Sequence, residues 1–263
     1  MSKLSGKKVG LALSSGGARG LAHIGVLEVL EKYAIPVDII AGSSIGSLVG
    51  ALYASGKSIA EIKDIARNQG VKRFSFLVDL SLPKTGLVRG RRIEDTIRKS
   101  IGDLEFKDLR IPFVCVATDI NSGEEVVIKD GLVWKAVRAS CSIPVLLAVV
   151  KQGDKYLVDG GLVNPVPVNV LKSMEADIII AVNVMPRLET EQSKEPTIFG
   201  IIMQMLNIAT YRILSHSLDG AHILIEPRVE HIAYGDFHRV DEFVEQGALA
   251  TEKSITEIKK FLK

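Results

Sequence analysis

Along the chain, short apolar runs alternate with longer stretches in which apolar residues recur every three or four positions. Residues 9–13 form the first run and predict a buried strand. Leu21, Ile24, Leu27 and Leu30 follow at spacing three, one face of a helix. Residues 37–41, introduced by Pro36, predict a second strand. Ile45, Leu48, Val49, Leu52 and Tyr53 then fall at i, i+3, i+4, i+7 and i+8, a helical stripe closed by Gly56. Ser58 and Glu61 have capping-box spacing, and Ile59, Ile62 and Ile65 carry a further helix. Residues 70–90, with Pro83, Gly86 and Gly90, predict a loop or excursion. Helical spacing returns at 91–101 through Ile93, Ile97 and Ile101. Strands at 112–118 and 125–128, joined through Asn121-Ser122-Gly123, precede a helix at 134–139. Residues 146–150 and 156–158 flank Gly153-Asp154 as a hairpin. Strands at 178–184 and 222–225 and helices at 198–215 and 240–262 complete the series, with a charged, proline-bounded loop at 186–197.

Strands that alternate with helices predict an α/β fold with a mostly parallel central sheet flanked by helices. No repeat, low-complexity stretch or convincing linker divides the chain, so residues 1–263 read as one domain.

Composition narrows the function. Lys+Arg 33 against Asp+Glu 31 leaves a formal charge of +2, and 47% of the 263 residues are hydrophobic. That is too apolar and too evenly charged for disorder, and it gives no electrostatic reason to expect a nucleic-acid partner. Cys115 and Cys141 are too few for a disulfide framework or a cysteine-rich zinc site and suit a reducing compartment. The mean hydropathy of +0.24 is high for a soluble chain. Yet residues 143–150 contain Pro144 and residues 198–203 contain Gly200, both far short of the roughly 20 apolar residues a spanning helix needs. The run at 9–13 is too short for a secretory signal, so a cytoplasmic location is expected. The apolar surplus must lie in the core or on a greasy surface.

Gly42-Ser43-Ser44-Ile45-Gly46 fits G-x-S-x-G between a predicted strand and a predicted helix, the setting of a nucleophile elbow. Small flanking residues permit the sharp turn, and the helix start at Ile45 offers free N–H groups to developing negative charge. The alternative is a glycine-rich turn with Ser43 or Ser44 as helix N-cap. A second cluster, Ser14-Ser15-Gly16-Gly17-Ala18-Arg19-Gly20, also joins strand to helix and forms an anion-holding nest. An oxyanion hole, a nucleotide-binding turn and plain packing all fit it, although neither G-x-G-x-x-G nor a phosphate-loop motif matches. A serine needs a base. His23 reads as a packed or capping residue, while His216, His222, His231 and His238 leave a Ser–Asp–His order open. Asp159-Gly160-Gly161 ends a predicted strand and is either a base or a tight turn.

Together, Ser15-Gly16-Gly17-Ala18-Arg19-Gly20, Gly42-Ser43-Ser44-Ile45-Gly46 and Asp159-Gly160-Gly161 resemble the patatin-like phospholipase family, in the same order. Gly90-Arg91-Arg92, Thr118-Asp119, the segment Arg138-Ala139-Ser140-Cys141-Ser142-Ile143-Pro144 and Asn164-Pro165-Val166-Pro167 extend the resemblance over residues 8–185. The helical tail at 198–263 is similar to that of bacterial single-domain members.

The resemblance implies a three-layer patatin-like fold and a serine acyl hydrolase that cleaves fatty-acyl esters of lipids through an acyl-enzyme. Ser44 would be the nucleophile and Asp159 the general base, without a catalytic histidine, metal or other cofactor. Gly16, Gly17 and Ala18 would supply oxyanion N–H groups, with Arg19 adding positive charge; Gly42, Gly46, Gly160 and Gly161 support the motifs. The partners would be a lipid or fatty-acyl ester and, peripherally, a membrane surface. A Ser–Asp–His esterase of the α/β-hydrolase type, a transacylase and a non-catalytic protein keeping the fold are the rivals.

One departure concerns the rim. After Ile143-Pro144 family members often continue with glycine, an aromatic residue and proline, where this chain has Val145-Leu146-Leu147-Ala148. That bears on substrate size more than on the catalytic step. The 198–214 stretch is apolar nearly all round, which predicts a buried core helix or, alternatively, a lid or lipid-contacting helix beside the site. Arg89, Arg91 and Arg92 read as a solvated or ion-paired face, with a phosphate-headgroup contact as the alternative.

Overall fold

The computed structural model describes residues 6–71, 91–185, 198–232 and 236–263. An eight-stranded sheet is built from β1 (Val9–Leu13), β2 (Ile39–Ser43), β3 (Phe113–Asp119), β4 (Glu125–Ile128), β5 (Val150–Gln152), β6 (Lys155–Asp159), β7 (Ile178–Val182) and β8 (Ile223–Ile225). Strands β3, β2, β1, β7 and β8 run parallel, in that order, and β4, β5 and β6 are antiparallel additions at one end. The central strands are apolar on both faces, as expected when helices cover a parallel sheet on both sides. The expected mostly parallel sheet is therefore present.

Helices α1 (Ala22–Lys32), α2 (Ile45–Ala54), α3 (Ile59–Val71), α4 (Arg91–Ile101), α5 (Val133–Ser140) and α8 (Val240–Phe261) share the larger core with Leu11, Leu13, Ile40 and Cys115. The opposite face, through Ala12, Ile39, Ala41 and Val114, packs on α6 (Val168–Ser173) and α7 (Ile198–Ser217). Alternation along each strand divides the two cores, and the result is three layers.

Several sequence expectations need correction. The second strand lies two residues later than 37–41 and carries Gly42 and Ser43 inside it. The expected strand at 146–150 begins only at Val150, because Pro144 and Val145 start a turn in which Val145 takes φ +70°. Helix α6 has no counterpart in the sequence reading; six residues between Pro167 and Met174 give too few turns for a periodicity. The 186–197 loop and most of the 70–90 excursion lie outside the described residues.

Most decisive for function is what happens on β3. Cys115 and Val116 pair with both β2 and β4, and Ala117 and Thr118 pair with both β4 and β6. A strand has two edges, so β2 and β6 share one of them, end to end. Strand β2 leaves at Ser43 opposite Val116, and β6 arrives antiparallel with Asp159 opposite Ala117.

The helix pair α1/α8 holds the other side of the site in place through glycines. A Cβ on Gly25 would run into the Val244 carbonyl and stand 2.7 Å from the Ala248 nitrogen. Helix propensity alone favours Gly25→Ala by about 1 kcal/mol, whereas overpacking costs about 1–3 kcal/mol. The overlap is with backbone, so we expect it to win: Gly25→Ala should lower the urea midpoint by the equivalent of about 1–2 kcal/mol. An unchanged or raised midpoint would show that α1 and α8 separate freely.

Candidate active site

The turn from β2 into α2 is tight because Gly42 and Gly46 let backbones meet. A Cβ on Gly42 would lie 2.6 Å from the Gly46 oxygen, and one on Gly46 would collide with the Leu13 carbonyl. Between them Ser44 takes φ 52°, ψ −123°, a region that an L-residue adopts only under constraint. Ser44 occupies the N-cap position of α2, yet its side chain makes no capping bond. Its hydroxyl instead donates to Asp159 Oδ2 at 2.5 Å. The cap alternative for Ser44 is thereby displaced, and Ser43 is inside β2, its hydroxyl buried and without a hydrogen-bond partner.

Asp159 serves two neighbours. Oδ1 accepts from the Gly161 N–H at 2.8 Å, which caps the 3-10 turn Gly160–Leu162, while Oδ2 accepts from Ser44. The tight-turn reading of the Asp-Gly-Gly motif holds, and the same carboxylate also meets Ser44. Burial pushes the Asp159 carboxyl up to about 6, against the Ser44 and Gly161 bonds, which favour the charged form. Gly160 lies against Val116 and Ser43, and Gly161 against Ser15, so both glycines allow close approach. Cys141 packs beside Ser47, and burial together with the Asp159 charge pushes its thiol up to about 12.

The first glycine loop opens beside the same sheet edge. Gly16 (φ 150°) and Gly17 (φ 59°) lead into a 3-10 turn, Gly17–Leu21, with no side chain capping its start. The first amides of any helix have no acceptor within it, so the start of this turn leaves backbone N–H groups without a helical partner. The loop is braced from behind: Ser15 N–H donates to the Pro165 carbonyl at 2.9 Å, and fully buried His23 meets the Ser14 carbonyl through Nε2 at 2.9 Å. Burial lowers the His23 pKa to about 4, so the ring is neutral at pH 7.

None of the five histidines bonds to Ser44 or Asp159 in the structure. His216 lies beside Asp219, His222 accepts from the Ile179 N–H, His231 meets Glu242 and His238 is exposed. A Ser–Asp–His order therefore finds no histidine in place.

Residues 11–172 match the profile "Patatin-like phospholipase". The chain belongs to the patatin-like phospholipase family. It is 39% identical over 196 residues to the patatin-like phospholipase domain-containing protein 6 of Mus musculus, which covers 72% of this chain and 14% of that protein. A lysophospholipase of Pyricularia oryzae is 38% identical over 185 residues, 69% of this chain and 12% of its own length. The chain thus spans about one seventh of such relatives. Among solved structures, VipD from Legionella pneumophila superposes with a TM-score of 0.55 at 13% identity, covering 97% of this chain and 67% of that one, which supports the patatin-like fold.

In this family member a cavity lies over the two motifs. It is lined by Ser15, Gly16, Arg19, Asp159 and Gly161 on the sheet side, and by Ile143, Pro144, Met203, Leu206 and Thr210 on the other. Its volume of about 50 Å³ has room for a few waters. Ser44 is 4% exposed and is not in the lining. Arg19 lines the cavity, but its guanidinium also donates to the Ile232 carbonyl at 2.9 Å and the Glu230 carbonyl at 3.4 Å. Gly17 and Ala18 are buried and do not line the cavity.

Helix α7 is not the core helix first expected. Thr210, Leu214 and Ser217 are buried and Met203 and Leu206 face the cavity, but Ile201, Met205 and Ile208 are 45%, 63% and 42% exposed. The helix roofs the site and turns an apolar stripe outward. Arg89 and the side chain of Arg91 lie outside the described residues, and Arg92 is exposed.

Sequence reasoning missed the hydroxyls that hold this arrangement. Ser140 accepts from the Ser44 N–H at 2.9 Å, Ser47 donates to the Ser44 carbonyl at 2.6 Å, and Thr118 donates to the Asp159 carbonyl at 2.7 Å. The signals were Thr118-Asp119 and the run of small residues at 139–142, which carry the resemblance without indicating a role.

The Asp159 pKa has a consequence for stability. Its folded value, about 6, exceeds the ordinary 3.8, so the native state holds this proton more tightly than the unfolded chain does. Stability is then lost as pH rises from about 4 to about 6, by at most about 3 kcal/mol. Asp159→Asn, neutral throughout, should melt higher than wild type at pH 7 and lose that advantage at pH 4. The same difference at both pH values would disprove the burial argument.

Proposed function

We propose that the chain is a lipid acyl hydrolase in which Ser44 is the nucleophile and Asp159 the general base. The observation that carries this is the 2.5 Å hydrogen bond between them, formed at a strained elbow with no capping bond. Ser44 Oγ attacks the ester carbonyl carbon as its proton passes to Asp159. The tetrahedral oxyanion is met by the N–H groups at Gly16, Gly17 and Ala18, next to the Arg19 charge. Collapse breaks the ester C–O bond, the proton leaves with the alcohol, and an acyl-Ser44 remains. Water then attacks the acyl carbon with Asp159 again taking the proton; collapse breaks the bond to Ser44 Oγ, the proton returns to that oxygen, and the fatty acid departs. An unperturbed aspartate is a weak base; a value near 6 brings Asp159 closer to a working general base at neutral pH.

The relatives named as lysophospholipases make lysophospholipids the first substrates to test. The family match stops at residue 172. We read the helical remainder as part of one catalytic unit, since α8 packs on α1 and α7 roofs the cavity. Among the described residues no helix is long and apolar enough to cross a membrane. The outward stripe of α7 and half-exposed Val145 on the rim support peripheral contact with a lipid surface. Two free cysteines fit a cytoplasmic setting.

A fluorophosphonate probe should label wild type and not Ser44→Ala, and Ser44→Ala should lose at least about 10³-fold in kcat/KM on lysophospholipid. The kcat/KM of wild type should rise with pH through a midpoint near 6, as Asp159 ionises. Equal labelling of the variant, or a flat profile between pH 5 and 7, would overturn the reading.

Met205→Asp places a charge in the outward stripe of α7. Turnover of a soluble short-chain ester should stay within about twofold, while turnover on phosphatidylcholine vesicles should fall about tenfold or more. Undiminished vesicle turnover would remove α7 as the lipid-facing surface.

A further inference from the structure

The distance between Ser44 and Asp159 is not set by β2 and β6 alone, because each strand ends at that point. The last turn of α5 and the residues after it reach both. Ser140, fully buried, accepts the Ser44 N–H at 2.9 Å and donates to the Val116 carbonyl at 2.6 Å. Two residues on, the Ser142 carbonyl accepts the Asp159 N–H at 2.9 Å. One short segment thus grips the backbone N–H of each partner.

The segment itself is anchored by Arg138, which is 4% exposed. Nη1 donates to Ser142 Oγ at 2.6 Å and Nη2 to the Ala148 carbonyl at 3.1 Å, and Ser142 Oγ donates back to the Arg138 carbonyl at 2.8 Å. Among the described residues no carboxylate forms an ion pair with it, and Nε has no hydrogen-bond partner. Burial lowers its pKa. A buried guanidinium with no ion pair and only the Glu94 charge acting on it from beyond ion-pair distance is costly, and a planar fork holding two separate acceptors is what a lysine cannot reproduce. Its position in the last turn of α5 suits the negative end of that helix. Through Ala148 it also closes the stretch that carries Ile143 and Pro144 to the cavity.

We propose that residues 138–142 form a positioning clamp for the reaction, with Ser140 fixing the nucleophile's strained backbone, the Ser142 carbonyl fixing the base, and Arg138 locking the two together. This rests on the Ser44–Asp159 reading above. Neither serine touches the reacting atoms. The Ser44 amide is spent on Ser140, so its role is orientation and not oxyanion binding.

The test is Ser140→Ala, with kcat, KM and the pH profile of kcat/KM measured on a soluble short-chain ester and kcat normalised to the folded fraction from the thermal melt. Releasing the Ser44 N–H lets the elbow relax and weakens the Ser44–Asp159 bond, which favours the charged carboxylate. We expect kcat to fall about 10- to 100-fold with KM within twofold, as for a small misplacement of a reacting group. The midpoint near pH 6 should move upward, a change that lost stability alone does not produce. Ser140→Thr, which keeps the hydroxyl, should regain most of the rate. Wild-type kcat per folded molecule with an unmoved midpoint would overturn the clamp. If Ser140→Ala is recovered only unfolded, Arg138→Lys decides by the same two readouts: a lowered kcat with a moved midpoint supports the clamp, and unchanged values overturn it. Ser44→Ala and Asp159→Asn run alongside. If they keep turnover, the dyad itself has failed; if they lose it while the clamp variants do not, only the clamp has.

Discussion

Everything in the site depends on one strand edge being shared. Strand β3 offers Val116 to the end of β2 and Ala117 to the end of β6, so two segments 115 residues apart stop at adjacent rungs of one ladder. Because side chains alternate in a sheet, a slip of one residue on either segment would send Ser44 or Asp159 to the wrong face. The register is held by buried apolar side chains on both faces of β1, β2 and β3, which is where the chain's high hydropathy is mainly used. The chemistry is a by-product of strand packing made specific by a few glycines and hydroxyls.

The glycines and the serines have opposite tasks. Glycine removes atoms where backbone must approach backbone: Gly42 against Gly46, Gly46 against the Leu13 carbonyl, Gly160 against Val116. The serines and Thr118 fill the polar positions that this crowding leaves. Ser47, Ser140 and Thr118 each bond a backbone group of Ser44 or Asp159, so the two side chains that face one another are held from behind by neutral hydroxyls. Neutral partners leave the carboxylate its raised pKa; a lysine or arginine in their place would have driven it down.

Much of this was legible before any coordinates. The runs at 9–13 and 125–128 and the helix at 91–101 match the structure to the residue, because continuous apolar runs and clean three-to-four spacing leave little choice. The motifs that carry Ser44 and Asp159 were visible as glycine-bounded turns at strand ends. What sequence withheld has physical causes. The strand expected at 146–150 failed because a proline and a residue at positive φ bend the chain first. The 198–214 helix was ambiguous because an all-round apolar helix fits a core as well as a cover; only the sheet beneath shows which side is wet. The role of Ser140 depends on a partner 96 positions away and has no local signature.

The junction on β3 also orders events in the life of the chain. Ribosomal synthesis delivers Ser44 first, then the strand that must receive it, and Asp159 last. Until β6 docks, Ser44 has no carboxylate beside it, and non-local pairings of this kind are the slow part of folding. A partly made chain therefore carries Ser44 without its Asp159 partner, and the contact between them exists only once β6 has joined the sheet.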